Sequence, residues 1–498
     1  MNFERSAGVL LHPTSLAATY GIGDLGNEAY AWLDFLHQTH CGLWQILPLG
    51  PTGYGDSPYQ CFSAFAGNIY LISPDFLLRD GLLDEADLQE RPNFPEHYVD
   101  YGMVIPWKIS ILNRAYERFC AASYPSIKRA FEIFIHENQS WLEEFTLFMA
   151  LKDAHHGAAW FEWEHPLRLR DNKAVAKAHK QFHEAIHRHS FFQFLFFQQW
   201  QQLYAYAKEK KVRIIGDIPI FMAHDSAEVW ANPHLFFMDK NGAPDVVAGV
   251  PPDYFSPTGQ LWGNPLYRWD VHEANGFDWW LERIRAVLSM VDIIRLDHFR
   301  GFSAFWEVPA KEKTAMNGRW MPAPGEKLFS TIAQQLGELP IIAEDLGVIT
   351  PDVVQLRQQF NLPGMKILVF AFDEGAEDHD LPHHYTKDCV VYTGTHDNDT
   401  IRGWYARVNE EERDFTRRYL RTDGHDIAWD VIRAAWSSVA VFSLTTMQDL
   451  LSLGNEARMN FPSRPSGNWI WRMPANSLND MLFHRLAELN WLYSRGNE

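Results

Sequence analysis

Four acidic residues of this chain each follow a short run of β-branched or aliphatic residues. Asp217 comes after Val212-Arg213-Ile214-Ile215-Gly216, Asp297 after Val291-Asp292-Ile293-Ile294-Arg295-Leu296, Glu344 after Ile341-Ile342-Ala343, and Asp397 after the run from Cys389 to Thr393. Short apolar runs between helical stretches read as buried parallel strands. A side chain at the C-terminal end of a barrel strand stands on the face where barrel active sites are built. Carboxylates from different strands meeting at one mouth supply the nucleophile and the acid/base that glycosyl chemistry uses. The pattern is that of an enzyme.

The residues around these carboxylates refine the chemistry. On a strand, residues two apart share a face, so Arg295 and Asp297 point the same way. A guanidinium beside a carboxylate lowers its pKa and fixes its rotamer, which suits a nucleophile; such a pair also serves as a structural strut in other barrels. Glu344 has the complementary requirement. A general acid keeps its proton through burial and nearby negative charge, which Asp297 and Asp397 could supply. Thr393-Gly394-Thr395-His396-Asp397-Asn398-Asp399-Thr400 is too polar for an ordinary connection, and its His-Asp pair could bind sugar hydroxyls or a divalent ion. No His-x-His strand accompanies it, which favours the sugar. Gly21-Ile22-Gly23-Asp24-Leu25-Gly26 matches the dinucleotide fingerprint in letters, yet the strand at Gly8–Leu11 lies too far upstream to abut it, so it reads as a plain turn. The loop Pro48–Gln60 carries Tyr54 and Tyr59 on Pro/Gly turns, where one or both rings should face ligand.

These residues need a frame. Strands are expected at Gly8–Leu11, Leu43–Leu47, Arg213–Gly216, Val291–Leu296, Ile341–Ala343, Lys366–Phe370, Cys389–Thr393 and Val439–Leu444. Helices are expected at Glu28–Gln38, Phe277–Ser289, Lys327–Gln335, Pro351–Phe360 and Asn409–Leu420, with a closing helix near Leu478–Arg495. Alternating strands and helices select a parallel sheet, and the number is that of an α/β fold of the (β/α)8 TIM-barrel type. The whole chain, 1–498, then forms one elaborated barrel. Residues 80–210 read as a mostly helical insertion after the second strand, because a structureless loop of that length is uncommon. Residues 219–269, rich in Pro, Gly and aromatics, read as an insertion after the third strand that overhangs the mouth.

Composition excludes several classes. A net charge of −19 with no basic run argues against nucleic acid, while leaving neutral substrates open. The 20 Trp, 18 Tyr and 34 Phe exceed what packing requires of every ring, so some can serve as platforms for sugar faces. Cys41, Cys61, Cys120 and Cys389 show no Cys-x-x-Cys spacing, which fits buried thiols in a reducing compartment better than a disulfide framework or a zinc site. No basic-then-apolar leader and no membrane-spanning apolar stretch is visible, so a soluble, cytoplasmic protein is expected.

Several longer stretches are similar to those of one family. Gly53-Tyr54-Gly55-Asp56-Ser57-Pro58-Tyr59-Gln60, Gly216-Asp217-Ile218-Pro219-Ile220-Phe221, Val250-Pro251-Pro252-Asp253-Tyr254-Phe255-Ser256 and Gly259-Gln260-Leu261-Trp262-Gly263-Asn264-Pro265 lie in the first half of the match. Arg295-Leu296-Asp297-His298-Phe299-Arg300-Gly301, Ala343-Glu344-Asp345-Leu346-Gly347, Gly394-Thr395-His396-Asp397-Asn398 and Asn455-Glu456-Ala457-Arg458-Met459-Asn460 complete it. Together they resemble the amylomaltases, the bacterial 4-α-glucanotransferases or disproportionating enzymes, relatives of the α-amylase clan. The resemblance spans nearly the whole chain and departs at no catalytic position.

What the resemblance implies is specific. Asp297 would be the nucleophile, Glu344 the acid/base and Asp397 the transition-state stabiliser. Arg295 and His396 would contact the sugar in the cleavage subsite, Tyr59 would stack on it, and Asp217 and Ser57 would bind nearby. Gln260 and Trp262 would belong to the active-site loop, and Tyr54 and Tyr101 to a second glucan groove. The family uses no cofactor and no required metal, and lacks a C-terminal β-domain. The expected reaction is retaining transfer of α-1,4-glucan segments from a donor to the 4-hydroxyl of another maltooligosaccharide or glucose. An α-amylase-like hydrolase shares the chemistry and is the alternative; insertions that exclude water favour transfer. A catalytically silent glucan-binding protein on the same barrel is the other alternative.

Overall fold

The computed structural model describes residues 3–252, 256–373, 380–462, 464 and 466–496. Twelve strands occur among them: β1 (Ser6–Leu10), β2 (Leu43–Gln45), β3 (Arg213–Ile218), β4 (Val246–Val250), β5 (Gln260–Pro265), β6 (Ile293–Leu296), β7 (Ala304–Pro309), β8 (Arg319–Pro322), β9 (Ile341–Ala343), β10 (Gly364–Ile367), β11 (Cys389–Tyr392) and β12 (Phe442–Thr446). Eight of them close a parallel barrel in the order β1-β12-β11-β10-β9-β6-β3-β2. The fold is the (β/α)8 barrel, and all eight expected strands exist.

Two expected strands shift. The sixth, placed at Lys366–Phe370, is Gly364–Ile367, paired with β11 from Gly364↔Cys389 to Ile367↔Tyr392. Leu368–Phe372 then leaves the ladder as a 3-10 turn. Its residues are as apolar as a strand's, so hydrophobicity alone misplaces the end. Gly364 is required where it is, because a Cβ there would lie 2.4 Å from Asp345 Oδ2. The eighth strand is Phe442–Thr446 rather than Val439–Leu444, in register with β1 from Ser6↔Phe442 to Leu10↔Thr446.

Between β2 and β3 the chain is largely helical, with long helices at Tyr101–Ala121, Pro125–Glu137, Gln139–Ala154 and His183–Glu209. The last is the hinge of the arrangement. Its first half buries Phe191 and Phe194 in a ring cluster with Phe119 and Phe131 of the neighbouring helices. Its second half covers the barrel: Trp200 Nε1 donates to Met290 O at 3.1 Å and Tyr204 donates to Asp292 Oδ1 at 3.0 Å. Asp292 in turn accepts the Ile214 N–H at 2.8 Å, so this helix is pinned to the roots of β3 and β6.

A second sheet, order β5-β4-β7-β8 and antiparallel, overhangs the barrel. Residues 219–269 supply β4 and β5, but β7 and β8 come from after β6, a part of the overhang that sequence reading left out. Asp253, Tyr254 and Phe255 of the family-like stretch lie outside the described residues. Among the described residues no strand follows β12, and the last helix is Asp480–Leu492.

Candidate active site

Parallel register brings the first group together. Asp217 on β3 pairs with Arg295 on β6, both facing into the barrel. Arg295 Nη1 lies 2.6 Å from Asp217 Oδ2 and 2.9 Å from Asp297 Oδ1, so one buried guanidinium bridges two carboxylates. The two acids in turn keep Arg295 charged despite burial, its pKa held well above the usual value. Burial pushes Asp217 up to about 6; Arg295 opposes the rise and Asp297 adds to it.

Glu344 stands at the end of β9, the neighbour of β6. Its Oε2 accepts the His298 N–H at 2.6 Å and its Oε1 accepts the Leu346 N–H at 3.2 Å. Those bonds favour the carboxylate. Burial and then the charge of Asp297 outweigh them and Arg295, and raise Glu344 well above the usual carboxylate range. A proton is held where a general acid needs one. His298 adopts the left-handed conformation at φ 51, which a side chain beyond Cβ rarely occupies, and this turn aims its N–H at Glu344 directly after Asp297.

The third acid has the opposite character. Asp397 Oδ1 accepts from Asn460 Nδ2 at 2.6 Å, and its Oδ2 is 3.4 Å from His396 Nε2. Desolvation works against its charge but is outweighed by His396 and Asn460, which hold it below the usual range. Glu344 and Asp397, at one mouth, are thus pushed in opposite directions, which is how one site runs acid and base steps.

Tyr59 ties the rim to the floor. Its hydroxyl donates to Asp217 Oδ2 at 2.9 Å and lies 3.3 Å from His396 Nδ1. Its ring stacks on His396, centroids 4.8 Å apart, and meets Trp469 at 5.9 Å. Ser57 Oγ accepts the Tyr59 N–H at 3.2 Å and so shapes the turn that presents the ring. On β5, Trp262 Nε1 donates to Gln260 Oε1 at 3.2 Å, and the Trp262 ring meets His298 edge-on at 4.8 Å. The overhanging sheet therefore touches the residue next to Asp297.

The remaining expected residues separate. Tyr54 is 77% exposed on its 3-10 turn. Tyr101, at the start of its helix, is half-buried and donates to Trp469 O at 3.1 Å, behind the Tyr59 ring. Sequence reading assigned no role to Asn460, Arg458, Trp469 or His298. Arg458 donates to the carbonyl of Asp397 and to that of Asn460. The stretch Asn455–Asn460 was visible as family-like; Trp469 carried no signal. Among the described residues no group of three or more His, Cys, Asp or Glu is placed to hold a metal ion, and no helix is long and apolar enough to cross a membrane.

Comparison with known proteins agrees with this geometry. Residues 11–478 match the family described as 4-alpha-glucanotransferase. A 4-alpha-glucanotransferase of Thermus thermophilus is 51% identical over 96% of this chain and 97% of its own length. One from a Synechocystis strain is 47% identical over 99% and 98%. The solved amylomaltase from Streptococcus agalactiae in complex with acarbose superposes with a TM-score of 0.96 at 41% identity, covering 99% of this chain and all (100%) of that one.

Proposed function

The chain belongs to the 4-alpha-glucanotransferase family, and on that premise we propose how its barrel mouth transfers α-1,4-glucan segments. Asp297 attacks the anomeric carbon of the donor while Glu344 protonates the departing glycosidic oxygen, giving a glycosyl ester on Asp297. Arg295 aims the attacking carboxylate. Asp397, ionised beside His396, stabilises positive charge at the anomeric carbon. Having given its proton to the leaving oxygen, Glu344 stays ionised, because the ester removes the Asp297 charge that raises it, and it takes a proton from the acceptor 4-hydroxyl. That oxygen attacks the anomeric carbon, the ester breaks, and Asp297 is restored. One observation carries the reading: Arg295-bound Asp297 and a proton-retaining Glu344 end adjacent strands at one mouth.

Tyr59, Asp217, Ser57, Gln260 and Trp262 complete the subsites beside the cleaved bond, and Tyr54 and Tyr101 belong to a more remote glucan contact. Glucose serves as an acceptor besides longer glucans. The four cysteines are free, in keeping with work in the reducing cytoplasm. Residues 80–210 and 219–269 are taken as insertions in a single catalytic barrel, the second shaping the mouth.

Incubation with maltotriose tests transfer against hydrolysis. Glucose and a ladder of longer maltooligosaccharides are expected, with little rise in total reducing ends. A steady rise in reducing ends with no product longer than the donor would replace transfer with hydrolysis.

The two tyrosines on the Pro/Gly loop should behave differently. Tyr59→Ala loses the bond to Asp217 and the stack on His396, so it should slow both maltotriose and amylose. Tyr54→Ala should spare maltotriose and weaken the use of amylose by roughly threefold to tenfold, the scale of one stacking contact of ~0.5–1.5 kcal/mol. Steady-state kinetics on both donors checks this. Equal losses by both variants on both donors would put the two rings in one role.

A further inference from the structure

Asp449 lies just beyond β12, on the short helix Met447–Leu450. It is 1% exposed, and among the described residues none of its hydrogen-bond partners is a cation. Its Oδ1 accepts the Ile401 N–H at 2.8 Å, and its Oδ2 accepts the Thr393 hydroxyl at 3.1 Å, itself 2.9 Å from Thr445 Oγ1. Thr393 directly follows β11 and Ile401 begins the next helix, Ile401–Arg407. Between them stand His396 and Asp397. One carboxylate therefore fastens both ends of the segment that presents two residues of the mouth.

Other bonds lock the segment to the same neighbourhood. Asp399 Oδ2 accepts from Asn455 Nδ2 at 2.9 Å, and Asn460 holds Asp397. Asp449 is nonetheless the costly choice for a fastener, since burial pushes it up to about 6 with no cation beside it to offset the rise. A carboxylate in such a place is retained where two acceptors must sit at one fixed point.

We propose that Asp449 is a positioning residue for glycosyl transfer: by holding Thr393 and Ile401 together, it sets where His396 and Asp397 stand. The proposal rests on the reading of Asp397 as the group that stabilises the transition state. Misplacing such a group affects kcat rather than KM.

The test compares Asp449→Ala, Asp449→Asn, Asp397→Ala and the double variants on maltotriose, with melting temperatures for each. Asp449→Ala is expected to lower kcat by about 100-fold, the scale of a misplacement near 1 Å, with KM nearly unchanged. Asp449→Asn, which keeps the shape and one acceptor oxygen, should lose less. Adding either substitution to Asp397→Ala should cost little more, because groups acting as one unit are not additive. If Asp449→Ala does not fold, the Asn variant carries the comparison. Parental kcat in both Asp449 variants beside an inactive Asp397→Ala overturns the proposal. So does a loss that multiplies fully onto that of Asp397→Ala and follows melting temperature. A parental rate for Asp397→Ala would instead overturn the reading of Asp397 itself.

Discussion

Asp297→Asn should reduce maltotriose turnover by ~10⁴-fold or more, the scale seen when a covalent nucleophile is removed. The amide keeps the size of the carboxylate and a place beside Arg295, so the protein should fold and bind donor with little change in KM. What disappears is the attacking oxygen. Arg295 then retains Asp217 as its partner at 2.6 Å, and the guanidinium is not left unpaired in the barrel. That residual pairing predicts a modest change in melting temperature, in contrast to the strong destabilisation expected when a buried ion pair loses its whole anionic side. The same substitution removes the charge that raises Glu344, so the Glu344 carboxyl in this variant should titrate lower than in the parent. Comparing kcat, KM and melting temperature of the two proteins checks the first three consequences, and the pH dependence of their melting temperatures checks the fourth. A variant with KM raised and kcat intact would remove Asp297 from the chemistry.

Glu344→Gln should cost about 10²- to 10⁴-fold on maltotriose, the usual range for a positioned acid/base. The loss should depend on the donor. A glycosyl fluoride leaves without a proton, so formation of the ester should be nearly normal from α-maltosyl fluoride, while its resolution stays slow. The pH dependence follows from the raised pKa. Glu344 must carry its proton to start the reaction, so kcat/KM on maltotriose should fall as pH rises past the raised Glu344 pKa. In Glu344→Gln that alkaline limb should vanish. Asp397 is held below the usual range and stays ionised in mild acid, so its protonation does not shape that region.

Stability gives an independent reading of the same group. The folded pKa of Glu344 lies above its unfolded value, so the fold binds this proton more tightly than the unfolded chain. Its contribution to stability is complete at pH below the unfolded value and is lost as pH rises through the folded one. Glu344→Gln does not ionise, and should therefore melt at a higher temperature than the parent on the alkaline side. Thermal melts across pH would show the gap open as pH increases, a trade of stability for activity common at catalytic positions.

How much of this was legible in the sequence depends on how local each feature is. Barrel strands buried on both faces must be apolar runs, so β3, β6, β9 and β11 announce themselves, and the carboxylates at their ends follow by position. The pairing of Arg295 with Asp297 was readable from a spacing of two. Its second partner, Asp217, needed the register between β3 and β6. The sheet β5-β4-β7-β8 was not legible, because Gly249 and Gly263 interrupt β4 and β5, and β4 finds its partner β7 across the barrel strand β6. β8 is largely exposed, so no apolar alternation marks it. Asn460 and Trp469 act on Asp397, His396 and Tyr59 from distant chain positions, and only folding brings them there. The places of Tyr54, open to solvent, and Tyr101, bonded to the Trp469 carbonyl, likewise depend on how the loop and the helical insertion fold. The protonation contrast between Glu344 and Asp397 could be argued from mechanism, but its causes, Asp297 beside a buried Glu344 and His396 and Asn460 beside Asp397, required coordinates.

The most direct test of the account is to catch the ester. Glu344→Gln incubated with α-maltosyl fluoride, quenched in acid, digested and examined by mass spectrometry should show one maltosyl unit on the peptide that contains Asp297. The same adduct should be absent from Asp297→Asn/Glu344→Gln. An adduct on a different carboxylate, or fluoride release with inversion at the anomeric carbon and no adduct, would contradict Asp297 as the nucleophile of a retaining transfer.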